Sequence, residues 1–399
     1  MKKIVLSVFS LLIFNKTIAQ SNDIDTSKYA DLRNRINDQS FFITLDSNNA
    51  NAYRKRAELK FQIKDIKGAI KDFTKVIKLN PKDAVSYYDR GYSKEELKDY
   101  KGALQDYTKA ILLDPTEPTF CLERGICKYE LSDYKGAIQD YTKAIQLSPK
   151  NDIAYYNRGN SKDKLKDYEG AIQDYNYAID LNPANPMAFY NRGLSKYDIE
   201  NYEDAIQDYN KAIELNTDFF DAYVNRGDAK NKLKNYTDAV ADYTKAIELN
   251  PASFDAYFDR GNCMDAYGDY AGAMKDYDKA IELNPKYAEA YNNRGLCKSN
   301  LQDYKNAIED FNKAIALEPK YIDAYYNKGN TTYYLKDYNS TITNFTKAIE
   351  LDPKYGRAYH NRGIAKYDLN NKKEACADWL KAADLGIKEA GDLINKYCN

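Results

Sequence analysis

Nine arginines and one lysine recur along this 399-residue chain at an interval of 34 residues: Arg56, Arg90, Arg124, Arg158, Arg192, Arg226, Arg260, Arg294, Lys328 and Arg362. Four residues after most of them stands a lysine (Lys60, Lys94, Lys128, Lys162, Lys196, Lys230, Lys298 and Lys366), with Met264 and Thr332 as interruptions. Cations four residues apart on a helix share a face. Such a stripe can do one of two things: bind external anions, or meet carboxylates of its own chain. Arginine cannot shed its charge, so a half-buried guanidinium with no carboxylate is costly.

The repeats supply their own test. An aspartate stands beside an aromatic residue further along nine of them: Asp72, Asp106, Asp140, Asp174, Asp208, Asp242, Asp276, Asp310 and Asp378. The ninth repeat has Asn344 instead, and it is also the repeat with Lys328 for arginine and Thr332 for lysine. The aspartate therefore tracks the arginine column. The expected result is a set of structural ion pairs between two helices of one repeat: Arg158 with Asp174, Arg192 with Asp208, Arg226 with Asp242, each with a lysine in support.

A neutral column runs one position before the arginines, at Asn157, Asn191, Asn225, Asn293, Asn327 and Asn361, with Lys55, Asp89, Glu123 and Asp259 in the other repeats. A primary amide both donates and accepts, so a ladder of amides can grip a peptide backbone whatever its sequence. Capping or simple solvation is the plainer alternative. Beside the ladder lie Tyr88, Tyr156, Tyr190, Phe258 and Tyr326. Rigid aromatic faces with polar tips suit peptide recognition or stacking on sugar rings, and packing between repeats would use them equally well.

These residues need regular elements to hold them in register. Ala171, Ile172, Tyr175, Ala178 and Ile179 recur at helical spacing, which predicts a helix with one apolar face. Gly159 and Ala171 lack bulk where two helices must approach closely, and Pro183 cannot continue a helix. From about Ala50 to Gly386 the pattern runs ten times without insertion or deletion. A single helix pair cannot bury its apolar face, whereas a stack of pairs makes a continuous core.

Tyr155, Gly159, Ala171, Tyr175, Ala178 and Pro183 resemble the signature of the tetratricopeptide repeat over 34 residues. The resemblance implies an all-α fold: a right-handed superhelical solenoid of stacked antiparallel helix pairs, whose first helices line a concave groove. It implies a non-enzymatic scaffold for protein or peptide partners, with the asparagine and aromatic columns on the inner wall. The carboxylate clamp of chaperone-binding members is not expected, because Arg54 is followed by Glu58 instead of asparagine. The C-terminal stretch "ACADWLKAADLGIKEAGDLINKYC" resembles a Sel1-like unit, and residues 387–399 are expected to form a capping helix. Residues 20–49 are expected to be a polar N-terminal segment, loosely ordered up to Gln39, with a degenerate capping helix at Phe41 to Ala50.

Composition narrows the chemistry further. With 59 basic and 60 acidic residues, the net charge of -1 offers no field to attract nucleic acid. One histidine, His360, leaves little room for histidine-based catalysis or metal ligation. No phosphate loop, nucleophile elbow or metal motif is present, so neither an enzyme nor a cofactor or metal is expected. Residues 1–19 have the layout of a secretory signal peptide: a basic start, an apolar run from Ile4 to Phe14, and small residues before a cleavage point after Ala19. The expected location is periplasmic or secreted, with no integral membrane segment after cleavage. Cys127, Cys263 and Cys297 share a column with Ser93 and Ala229, which predicts small buried residues. Only Cys376 and Cys398 are left free to pair.

Overall fold

The computed structural model describes residues 26–398, and the expected signal peptide lies outside them. Among the described residues there are 22 α-helices and no strands. They fall into two compact units, one up to Glu200 and one from Asn201. The first unit contains a leading helix (Thr26–Leu45), four complete repeats and the first helix of the fifth (Pro186–Asp198). The second contains the other helix of that repeat (Tyr202–Leu215), five complete repeats and a closing helix (Glu389–Tyr397). Within each unit each helix packs against the next in sequence, so the architecture of a unit is a stack of helix pairs.

Repeat four shows why these residues build a pair. Its first helix runs from Asp152 to Lys164, capped by Asn151, whose side chain accepts from the Ala154 N–H. The chain then turns through Lys166 in the left-handed region, at φ 62°. Asp167 caps the second helix (Tyr168–Leu181) by accepting from the Gly170 N–H at 3.1 Å. The Lys-Asp dipeptides of the "LKDY" turns are thus one residue that reverses the chain and one that starts the next helix. The second helix stops one residue before Asn182, ahead of Pro183.

The core is a ladder of small against large. Ala171, Tyr175 and Ala178 are buried in the second helix, and Gly159 faces them from the first. A Cβ on Gly125 in repeat three would lie 2.6 Å from the Tyr141 ring. Gly125→Ala is therefore expected to destabilise by about 1–3 kcal/mol, the cost of overpacking. Helix propensity alone predicts the opposite sign, a gain of about 0.5–1 kcal/mol. Gly391 is the control, because a Cβ there meets nothing within 4 Å. Thermal unfolding should separate the two variants by sign, and a gain at Gly125 would contradict this packing. Cys127, Cys263 and Cys297 are fully buried, and burial pushes the Cys263 thiol up to about 12, so it stays protonated.

The leading helix corrects one expectation. The stretch up to Gln39 was expected to be loosely ordered, with a short cap from Phe41, yet a single helix spans Thr26–Leu45. It stands where the second helix of a preceding repeat would stand. Ser40 accepts from Arg56 at 3.0 Å, the bond that each later arginine sends to the repeat before it. At the other end, the helix Glu389–Tyr397 lays the Tyr397 ring against Tyr367 and Trp379, and a disulfide joins Cys376 to Cys398.

Candidate functional site: the faces of the first helices

The arginine column is occupied by the protein's own carboxylates. Arg158 donates to Asp174 through Nε at 2.8 Å and Nη2 at 2.6 Å, a bidentate fork. Lys162 Nζ lies 2.8 Å from the same carboxylate, which is buried with 2% of its side chain exposed. Arg226, Lys230 and Asp242 form the same cluster, with contacts of 3.0 Å from Arg226 Nε and 2.7 Å from Lys230. Hydrogen bonding to Asp276 raises the pKa of Arg260, outweighing the opposing effect of burial. One carboxylate between two cations leaves no opening for an external anion in these repeats.

Arg192 and Asp208 belong to different units. Arg192 donates to Asn176 at 2.7 Å and lies over the Phe189 ring, and Asp208 is buried in the second unit.

One partner was missed by sequence reasoning. The third guanidinium nitrogen, Nη1, reaches the second helix of the preceding repeat: Arg158 to Thr142 at 3.1 Å, Arg260 to Thr244 at 2.9 Å, Arg362 to Thr346 at 3.0 Å. Each of these three arginines therefore ties three helices together. The signal was a polar residue sixteen positions before each arginine, a column that reads as ordinary surface.

The asparagine column lies half-buried along the first helices. Its donors are largely spent between repeats. Asn191 Nδ2 donates to Tyr156 Oη and to Asn160 Oδ1, both at 3.0 Å, and Asn361 repeats this with Tyr326 at 3.2 Å and Asn330 at 2.9 Å. Asn293 donates to Asn262 at 2.9 Å, Asn327 to Asn292 at 3.0 Å, and Asn225 to the Asp221 carbonyl at 2.8 Å. Asn157 lies at the same position in repeat four, with its carbonyl accepting from Ser161. In Asn191 and Asn361 both N–H groups are committed, so what faces outward is an acceptor. The expected two-way amide grip becomes a one-way one at these positions.

The aromatic column is mostly packing. Tyr88 is buried against Tyr92, Tyr107 and Phe120. Tyr156 leans on Tyr175, Phe258 on Tyr277 and Tyr287, and Tyr326 on Phe345 and Tyr355. Tyr190 is half-buried in the fifth repeat. In repeat seven Asp259 takes the place of asparagine, and burial together with Asp228 and Asp255 pushes its pKa up to about 7.

Two equivalent cavities open on this face, five repeats apart in sequence. In the first unit one of about 290 Å³ is lined by Tyr129, Tyr156, Asn160, Asp163, Lys164, Tyr175, Asn191 and Leu194. In the second unit one of about 190 Å³ is lined by Asn330, Tyr333, Tyr334, Phe345, Asn361 and Ile364. In both, an Asn–Asn hydrogen bond forms one wall and the aromatic of the second helix the floor. At two equivalent positions the first has Asp163 and Lys164 and the second has Tyr333 and Tyr334. Among the described residues no group of three or more acidic, histidine or cysteine side chains is placed to hold a metal, and no helix is long and apolar enough to cross a membrane.

The chain is similar in part to several solved structures. One is YrrB, described as a TPR protein with an unusual peptide-binding site (27% identity over 46% of this chain and 95% of that one, TM-score 0.43). Another is MamA (30% identity over 41% and 95%, TM-score 0.40). A third is a tetratricopeptide repeat protein from Parabacteroides merdae (23% identity over 62% and 98%, TM-score 0.46). No functionally curated protein matches. Family models for the tetratricopeptide repeat match residues 50–83, 84–117, 186–219, 220–253, 242–275, 288–321 and 322–355, and a TPR repeat model matches 127–165, 164–199 and 266–298. Together the matches span well over half the sequence, those at 50–117, 186–253 and 288–355 in the register of the helix pairs, and the chain belongs to the tetratricopeptide repeat family, whose members are generally non-catalytic scaffolds for protein interaction.

Proposed function

We propose that this protein is an exported scaffold of the bacterial cell envelope that holds an extended segment of a partner protein along the face of its first helices. The observation that carries this reading is the pair of equivalent cavities, at the same register in each unit, bracketed by amide–amide hydrogen bonds. A peptide in extended form offers one N–H per residue. The outward oxygens of Asn191 and Asn361 accept such donors, and the cavities take side chains. The cavities differ in what they accept: the second unit's is walled by tyrosines, and the first unit's carries both Asp163 and Lys164. The tyrosine column is spent on internal packing, which favours a peptide over a glycan, since sugar stacking needs open ring faces.

Peptides selected from a random display library supply the test. Replacing Asn191, Asn225 and Asn293 together by Ala is expected to weaken them by tenfold or more, about 1.4 kcal/mol. Unfolding temperature and helicity serve as the control for lost repeat–repeat bonds. Unchanged affinity in the folded triple variant would move the site off this face, and selective retention on purified cell-wall glycan would favour the other ligand class. Export is tested by the first residue of the mature protein: Gln20 supports it, and Met1 at the start of the cellular protein overturns it.

A further inference from the structure

Repeat nine, within the second unit, breaks the ion cluster, and the replacements do not compensate one another. Thr332 and Thr341 set their hydroxyls 3.0 Å apart, and Thr332 also donates to the Gly329 carbonyl at 2.9 Å. Asn344 is buried and uses one amide N–H on the Ser340 carbonyl at 2.8 Å. Two members of the former cluster have thus become a neutral, satisfied network. Lys328 keeps its charge. It is half-buried, and among the described residues it has neither a carboxylate at ion-pair distance nor a hydrogen-bond acceptor.

A cavity of about 520 Å³ opens beside it, bounded by Tyr325, Thr343, Asn344, Lys347 and Glu350. This cavity lies between Lys328 and the second helix of the repeat, away from the Asn330–Asn361 cavity. Glu350, the carboxylate on its rim, is held by Lys347 at 2.9 Å. The donors available to a guest are therefore the Lys328 ammonium, with three N–H groups, the second N–H of Asn344, and, at the rim, the N–H groups of Lys347 that Glu350 does not take. In the sibling repeats this location holds a carboxylate gripped by two cations.

We propose that repeat nine is an anion site, in which the carboxylate or phosphate group of a ligand binds Lys328 and Asn344 and supplies from outside the negative charge that aspartate supplies elsewhere. Burial lowers the pKa of Lys328 with no opposing charge, and a bound oxyanion would reverse that cost. The site is independent of the peptide reading. It needs no free first-helix face, and it persists if that face binds nothing.

The test uses the full chain and two probes, inorganic phosphate and acetate, with sodium chloride at equal ionic strength as the control. Either probe is expected to raise the unfolding temperature saturably, by about 2 °C or more. A response to phosphate alone assigns a phosphate group, and a response to both assigns oxyanions generally. Asn344→Asp, which returns the internal carboxylate, is expected to raise the starting temperature and abolish the response. Lys328→Met is expected to abolish it as well. A local readout guards against a silent melt: labelling of Lys328 by an amine-reactive ester, followed by mass spectrometry, should slow several-fold with either probe, while Lys245, whose exposed side chain pairs with Glu248 outside this cavity, labels as before. No protection of Lys328 at about 50 mM of both probes, or an equal thermal response in all three proteins, overturns the site.

Discussion

Asp242→Asn is expected to lower the stability of its repeat by about 3–5 kcal/mol, because it strands two half-buried cations around a neutral amide. Asp242 has 4% of its side chain exposed and contacts both Arg226 and Lys230. The two single losses are not symmetrical. Arg226→Leu removes one cation and leaves the carboxylate with Lys230 still 2.7 Å away, so its cost should be smaller. Removing all three charges (Arg226→Leu, Lys230→Thr, Asp242→Asn) should recover most of the loss, since buried ionic triads can often be replaced by neutral residues at little net cost. Repeat nine already tolerates a near-neutral version with Thr332 and Asn344. The measurement is thermal unfolding of the two single variants and the triple. A triple variant that loses at least the sum of its parts would show that the cluster adds stability beyond satisfying its own charges.

Reduction of the Cys376–Cys398 disulfide is expected to release the closing helix without melting the repeats. The bond spans 22 residues, which corresponds to about 3 kcal/mol of loop-closure entropy removed from the opened state. The helix it secures, Glu389–Tyr397, has nine residues and buries only Ala390 fully. Isolated helices of that length are marginal in water. The other restraint is packing of Ala390, Leu393, Ile394 and Tyr397 on the cluster around Trp379, with the Tyr397 and Tyr367 ring centroids 4.5 Å apart. Amide hydrogen exchange over residues 389–397 should rise by about a hundredfold under reductant or in the Cys376→Ser, Cys398→Ser variant, at 1.4 kcal/mol per tenfold. Exchange in repeats two to eight should not move. Equal protection in the oxidised and reduced protein would mean that this packing alone holds the cap.

How legible all this was depends on whether a feature repeats and whether it is local. The helix pairs were plain, because Gly, Ala and aromatic positions recur in fixed register and each has one packing role. The Arg158–Asp174 pairing was readable for a different reason: the ninth repeat changes both positions at once. The contact from Arg158 to Thr142 was not, since a threonine on an outward helical position carries no mark of its partner. The leading helix escaped for want of a template, as its one buried apolar side chain, Leu32, and its acceptor, Ser40, are too few to set a period. The asparagine column was visible in sequence as a column, while its hydrogen-bond direction required coordinates. Whether an amide offers its N–H groups or its oxygen outward is decided by residues 31 and 35 positions earlier, and no local pattern carries that.

The left-handed residues between paired helices have a meaning for how such a chain arose. Lys64, Lys98, Ser132, Lys166, Glu200, Lys234, Gln302, Lys336 and Asn370 all adopt positive φ, where glycine would do so at no steric cost. A lone hairpin has its turn hydrogen bonds, such as Asp167 N–H to the Lys162 carbonyl at 2.9 Å, but leaves much of its apolar surface in water. The pair persists because stacking on its neighbours completes the apolar core that one pair leaves open. The segment that duplication copied is therefore 34 residues long, while the smallest piece that stands by itself is several copies. Heredity and folding count this protein in different units.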